Sequence, residues 1–376
     1  MSTHSHDLDF KTIFRIEPRP GSLINITGEV PYAELEKERA AALRVLGERI
    51  RLPGFRPGRV PEAMLIKHVG ETTLLSKMAE LAIAHVYRRI VEAHALDPIG
   101  RPDISLAKLA PGNPLGLSIT VTVVPAVSLP DYKALAGAIN SKKEDVAVTE
   151  EEVDTAIANI LRRQNDDEKL RKKAAASKAE AAAPAIAAPE TAKEETGEKE
   201  TPRPSLTDEI ARSLGTSGQF ANVDDFKTKL REHLTLEKTR VAVARHRESL
   251  TDAIIAGARL ELPELLVESE LAQMLAQMES DLALAGVKLD DYLSRLKKTR
   301  DDLKREWRQA AERRATLQLV LNEIAKKEKV KPTPEDVEAT VAAFRKRHRN
   351  ADERRIRLYV ASVLTNEAVL RFLEAQ

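Results

Sequence analysis

The sequence contains no cysteine. Disulfides, thiolate zinc sites, iron–sulfur clusters and a cysteine nucleophile are thereby excluded. Aromatic residues are scarce, 3% of the 376 residues, against 42% hydrophobic and 32% charged. Such a composition points away from an aromatic-rich sandwich or barrel and towards a soluble, helix-rich, thinly packed protein. No apolar run approaches the ~18–20 residues that span a bilayer. The start, Met1 to Asp7, is polar and has no apolar stretch behind a basic tip. A cytoplasmic protein without a membrane partner is expected. An excess of one charge is missing too: 60 Lys and Arg face 59 Asp and Glu, a formal net charge of +1. The chain as a whole is not marked as a nucleic-acid binder, although a local basic patch stays open.

Familiar chemical signatures are equally scarce. No two glycines stand two residues apart and no Gly-Lys-Ser/Thr occurs, so the usual phosphate loops are unsupported. Neither a Gly-x-Ser-x-Gly elbow nor a His-Glu-x-x-His helix is present. The eight histidines are scattered, and none stands four residues from another. His4 and His6 are close enough to share a metal but lie in a terminus expected to be loose, and His85 reads as a helix-surface residue. No acid–base pair stands out among the carboxylates. No metal, cofactor or catalytic residue is expected.

What is present falls into two or three domains. Phe10–Ile16 and Leu23–Thr27 read as strands of a hairpin around Pro18-Arg19-Pro20-Gly21-Ser22. A helix follows from Pro31 to about Arg49, then helices near 61–69 and 72–95, then strands at Ile104–Leu109 and Leu117–Val124. Residues 1–130 are therefore an α+β domain, antiparallel strands with helix–loop–helix. Residues 131–165 form a connecting arm ending in a helix from Glu150 to Arg163. The stretch 166–205 is Ala, Lys, Glu and Pro without an aromatic residue. It lacks the apolar content of a core and reads as a disordered or transiently helical linker. From 206 to 376 the pattern is almost entirely helical.

One loop stands out: Gly54-Phe55-Arg56-Pro57-Gly58-Arg59-Val60-Pro61. Phe55 sits between two glycines, and Arg44, Arg49, Arg51, Arg56 and Arg59 gather around it with only Glu48 opposing. An aromatic flanked by arginines suits a docking tip that meets phosphates, carboxylates and an apolar notch together. The plain alternative is a tight turn whose Phe folds back onto its own core.

The loop resembles the ribosome-docking signature of bacterial trigger factors, Gly-Phe-Arg-x-Gly-x-x-Pro, matched by Gly54, Phe55, Arg56, Gly58 and Pro61. The order of elements around it is similar to that family's ribosome-binding domain, and Pro204–Glu209 is similar to the start of its C-terminal chaperone domain. The resemblance covers 1–165 and 204–376. It implies an ATP-independent chaperone whose tip, Phe55 and Arg56, contacts a ribosomal protein and rRNA beside the exit tunnel, supported by the basic patch of Arg44, Arg49 and Arg51. The third tip residue is Pro57 rather than a cation, with Arg59 nearby to replace its charge. Nascent and unfolded polypeptides are the implied clients; a weak homodimer is left open.

The family usually inserts an FKBP-type prolyl isomerase between arm and helical domain, and its labels include isomerase, cell division and protein transport. A domain of ~100 residues with an aromatic pocket cannot come from 166–205, so the residues do not support isomerase activity. In the helical region, Met274 and Met278 stand four apart with Leu271, Leu275 and Leu282 nearby. They read either as helix-packing core or as soft, adaptable surface for unfolded chains. A prolyl isomerase and a ribosome-independent holdase are the competing functions.

Overall fold

The computed structural model describes residues 9–50, 60–142, 146–180, 206–214, 220–347 and 352–376. The chain divides into two compact units, Met1–Tyr132 with Ala253–Leu373, and Lys133–Asp252 with Glu374–Gln376.

The first unit opens on a short helix rather than a strand. The Asp9 carboxylate accepts a hydrogen bond from the Lys11 N–H at 3.0 Å and caps α1 (Phe10–Ile13). The expected first strand is corrected to β1 (Phe14–Arg19). A capping acid prevails over the β-propensity of Phe10 to Ile13 because it satisfies orphan helix N–H groups, and Phe10 is buried, stacked on Phe14. β2 (Leu23–Val30) pairs antiparallel with β1 through a turn in which Gly21 and Ser22 both have positive φ, 79° and 55°. β3 (Pro98–Lys108) and β4 (Leu115–Val123) complete a sheet of order β1-β2-β4-β3. β3 starts six residues ahead of the expected Ile104, because the register shift between Ile99 and Asp103 absorbs Gly100 and Pro102, residues that read as a loop.

One face of this sheet is apolar. Ile26, Val30, Leu115, Leu117, Ile119 and Val121 are buried with Leu74, Leu75, Met78, Ala82, Val86 and Ile90 of α5 (Glu71–Ala93). The three-and-four spacing of these α5 residues turns them to one face of the helix. Gly28 is required by close approach: a Cβ there would stand 2.6 Å from the Ile13 carbonyl oxygen and from the Phe14 ring. The expected helix 31–49 is two, α2 (Tyr32–Lys37) and α3 (Arg39–Arg49), broken where Glu38 flattens to φ −89°, ψ −2°. α4 (Glu62–Val69) precedes α5.

The second unit takes α6 (Tyr132–Asn140) from Lys133 onward, and that helix leads to α7 (Glu150–Glu180). Val153, Ile157 and Leu161 of α7 are buried with Ala211 of α8 (Asp208–Ser213) and Phe226 of α9 (Val223–Gly257), whose last five residues belong to the first unit. Beyond Leu161 the side chains described up to Leu170 are exposed or half-buried, yet the helix continues to Glu180. Of the two readings of 166–205, the helical one holds for its first part and disorder is set aside there: Ala, Lys and Glu are strong helix formers and carry α7 on to Glu180. Residues 181–205 lie outside the described residues.

The remaining helices belong to the first unit, apart from the last residue of α14. They are α10 (Glu264–Leu284), α11 (Leu289–Leu296), α12 (Arg300–Lys327), α13 (Pro334–Arg347) and α14 (Glu353–Glu374). α12 begins in a reciprocal capping box between Thr299 and Asp302. The architecture is therefore an N-terminal α+β domain followed by a mainly helical region.

Candidate docking site

The expected tip lies between α3 and α4. Arg44 is exposed on α3, and Arg49 is its last residue. Ile50 leaves the helix in an extended conformation. Arg51, Gly54, Phe55, Arg56, Pro57, Gly58 and Arg59 lie outside the described residues. On the far side, Pro61 is exposed. It precedes α4 as the N-cap residue, with ψ 142°, rather than as the first helical residue expected from the sequence. Its carbonyl accepts from the N–H groups of Met64 and Leu65, both at 3.0 Å.

α4 starts beside the first turn of α3. The Arg39 guanidinium donates to the Glu62 carboxylate from Nε at 3.2 Å and Nη2 at 3.0 Å, and this bond raises the Arg39 pKa above its ordinary value. Leu65 is buried, and a Cβ at Gly47 would lie in van der Waals contact with it. The flanks of the loop are thereby held by one buried leucine and one surface ion pair. Met64 is 47% exposed on the same turn of α4.

The five helical candidates divide. Leu271 is 1% exposed and buried with Val267 and Ala311, so its side chain is not available to a client. Met274 is half-buried and packs against that cluster, as does Trp307. Leu275, Met278 and Leu282 are half-buried against Leu289, Leu293 and Leu303. Core packing accounts for most of this stripe. Apolar side chains with outward exposure lie elsewhere on the helices: Leu284 at 87%, Leu358 at 65%, Tyr359 at 59%, and Leu296 and Val363 at just under half. Leu358, Tyr359 and Val363 depart from the buried period Ile356, Val360, Leu364; that phase difference was a signal available in the sequence. The basic run Arg345–Arg357, absent from the expectations above, was equally visible as charge.

Among the described residues no group of three His, Asp or Glu side chains is placed to hold a metal ion. No described helix is long and apolar enough to cross a membrane.

Two family models match the chain. The model of the bacterial trigger factor protein matches residues 13–160, and that of the trigger factor C-terminus matches 222–371. Among curated relatives, trigger factor of Moorella thermoacetica is 25% identical over 83% of this chain and 82% of its own. That of Macrococcus caseolyticus is 26% identical over 87% and 89%. That of Mycobacterium avium is 24% identical over 87% and 81%. A solved structure of the trigger factor chaperone aligns with 96% of this chain and 99% of its own at 15% identity and a TM-score of 0.47. Matched at both ends by that family's models, the chain belongs to the bacterial trigger factor family.

Proposed function

We propose that this protein is an ATP-independent chaperone that docks beside the ribosomal exit tunnel and holds nascent or unfolded polypeptides. The observation that carries the reading is the sequence Gly54-Phe55-Arg56-Pro57-Gly58-Arg59-Val60-Pro61, set between α3 and α4 in the part matched by the N-terminal family model. Phe55 supplies an apolar anchor and Arg56 and Arg59 supply cations suited to rRNA phosphates and acidic side chains of a ribosomal protein. Arg44, Arg49 and Arg51 add to the local positive field.

Client holding belongs to the helical part. Outward side chains such as Leu284, Leu358 and Val363, set among charged residues, suit weak and reversible contact with unfolded chains. Met274, Leu275, Met278 and Leu282 are half-buried and add the soft, partly accessible share of that surface, while Leu271 is buried in the cluster on which Met274 packs. The division of labour follows the chain: 1–130 for the ribosome, 131–165 as an arm serving the helical body 206–376, and 166–205 as a connection in place of an isomerase domain. No cofactor is required, and the working place is the cytoplasm.

Co-sedimentation with purified ribosomes tests the docking. Replacing Phe55 and Arg56 together by Ala is expected to weaken binding at least tenfold while leaving the thermal melt unchanged. Equal sedimentation of variant and wild type would remove the tip from the reading.

A further inference from the structure

The hairpin of α13 and α14 gathers positive charge at one end. Between Phe344 and Leu358 the sequence carries seven Lys or Arg and two Asp or Glu, in a chain whose overall charge is nearly balanced. The hairpin itself is held by Val341, Ile356 and Val360, buried together. Both acids are engaged. Glu353 faces Arg345 at 3.1 Å and Arg357 at 3.7 Å, and Asp352 accepts from the Arg355 N–H at 2.9 Å. Arg357 is also paired with Glu338. Lys346, Arg354 and Arg355 are exposed, and their side chains have no ion pair among the described residues.

The α10–α12 surface shows what a structural use of such cations looks like. There Arg308 meets Glu264 and Glu312, and Lys304 meets Glu268. At the α13–α14 end the acids run out before the bases do. Beside the uncommitted cations stands an uncommitted ring. Tyr359 is one turn beyond Arg355, hence on the same helical face, and is 59% exposed. Its ring leans on Phe344 at 5.9 Å between centroids, which fixes its position without covering it.

We infer that this end of the α13–α14 hairpin is an RNA-contacting surface. Lys346, Arg354 and Arg355 meet backbone phosphates, and Tyr359 offers a stacking face for an unpaired base. Guanidinium forks match phosphate oxygens, and an aromatic beside arginines is the recurring means of holding single-stranded or looped RNA. An acidic polypeptide would satisfy the cations but leave the ring unused. That the RNA in question is ribosomal rests on the docking reading above; the surface would give the protein a second ribosome contact, separate in sequence from Phe55.

The test uses the full chain and a fluorescently labelled RNA hairpin with a single-stranded loop, read by anisotropy across a salt series. The variant Lys346→Glu/Arg354→Glu/Arg355→Glu is expected to bind at least tenfold more weakly. Its plot of log affinity against log salt should be shallower by about 2, three phosphate contacts at ~0.7 each. The milder Arg354→Gln/Arg355→Gln should weaken binding several-fold with an unchanged melt, and it decides the matter if the triple variant is unstable. In a Phe55→Ala/Arg56→Ala background the loss caused by the α13–α14 substitutions should be the same. RNA binding that is absent in the wild type, or unchanged in affinity and salt slope in the Lys346, Arg354 and Arg355 variants, would overturn the proposal. So would poly-glutamate binding that these α13–α14 variants abolish while RNA binding stays. Ribosome sedimentation of the Phe55/Arg56 variant reports separately on the docking reading, so failure of either is distinguishable.

Discussion

The sheet domain and the helical region draw on the same Ala- and Leu-rich alphabet but hold themselves together differently. In the sheet domain, residues from α1, β1, β2, α2, α3, α5 and β4 are buried in one continuous core. In the helical region three separate clusters, around Leu271, Leu289 and Val341, each bury three residues, beside other buried side chains such as Val320 and Ile324 of α12 and Val369 of α14. Between them run rows of exposed ion pairs, such as Arg308–Glu264 and Arg300–Asp290. A sheet with one apolar face demands a lid and gathers its core in one place. Long amphipathic helices can be joined in short segments, leaving apolar side chains such as Leu284 uncovered between joints. The contrast matches the proposed roles, a rigid platform for docking and a divided, yielding surface for clients.

The largest expected effect breaks the sheet core. Phe14 is 2% exposed and stacked between Phe10 and the Gly28 backbone. Phe14→Ala should cost about 3–5 kcal/mol locally, whereas Val360→Ala in the α13–α14 cluster should cost about 1–2 kcal/mol. Hydrogen exchange resolved by region checks this, since the two parts need not unfold together. Equal costs would erase the distinction.

A buried polar contact in the helical region comes next. Tyr132 is 2% exposed and donates to the Glu328 carboxylate at 2.6 Å, with the Lys327 ammonium 5.2 Å from its ring. Burial first, and the bond to Glu328 second, push its pKa up from 10.0 to about 12. The folded state therefore holds this proton more tightly than the unfolded chain. The associated stability is fully present below pH 10 and is lost as the pH rises towards 12. About 2–3 kcal/mol is at stake at ~1.4 kcal/mol per pKa unit. Tyr132→Phe should lower stability at neutral pH by about 1–3 kcal/mol and flatten the alkaline decline, as followed by unfolding between pH 8 and 12.

Surface pairs should matter less. Arg308 and Glu264 are 46% and 60% exposed, so Arg308→Ala is expected to change stability by no more than about 1 kcal/mol despite a good geometry. Smallest of all should be removal of 181–200 with a short Gly/Ser bridge. Closure entropy varies with the logarithm of loop length, about 0.6 kcal/mol per doubling, so folding and aggregation suppression should persist. Loss of suppression alone would mean that this stretch touches clients.

The helix that becomes α5 and the helical character of 206–376 were legible because helical periodicity is local. Three features were not. The α1 turn and the break at Glu38 depend on single backbone conformations within runs that favour something else. β3 is extended through Gly100 and Pro102 because pairing with β4 tolerates a bulge. The burial of Leu271 depends on Ala311 of α12, forty residues away, and no local pattern carries that. The docking loop was legible as a motif and a cluster of charge, whereas the basic end of α13–α14 is legible in sequence only as charge, because which acids are engaged there depends on the hairpin that brings Glu353 to Arg345.

The central claim is that ribosome contact and client holding reside in separate parts of one chain. The most direct measurement takes a single variant, Phe55→Ala/Arg56→Ala, through two assays: co-sedimentation with ribosomes and suppression of aggregation of a chemically unfolded client. The account predicts at least tenfold weaker ribosome binding with suppression unchanged. Retained ribosome binding, or suppression lost in step with it, would contradict that separation.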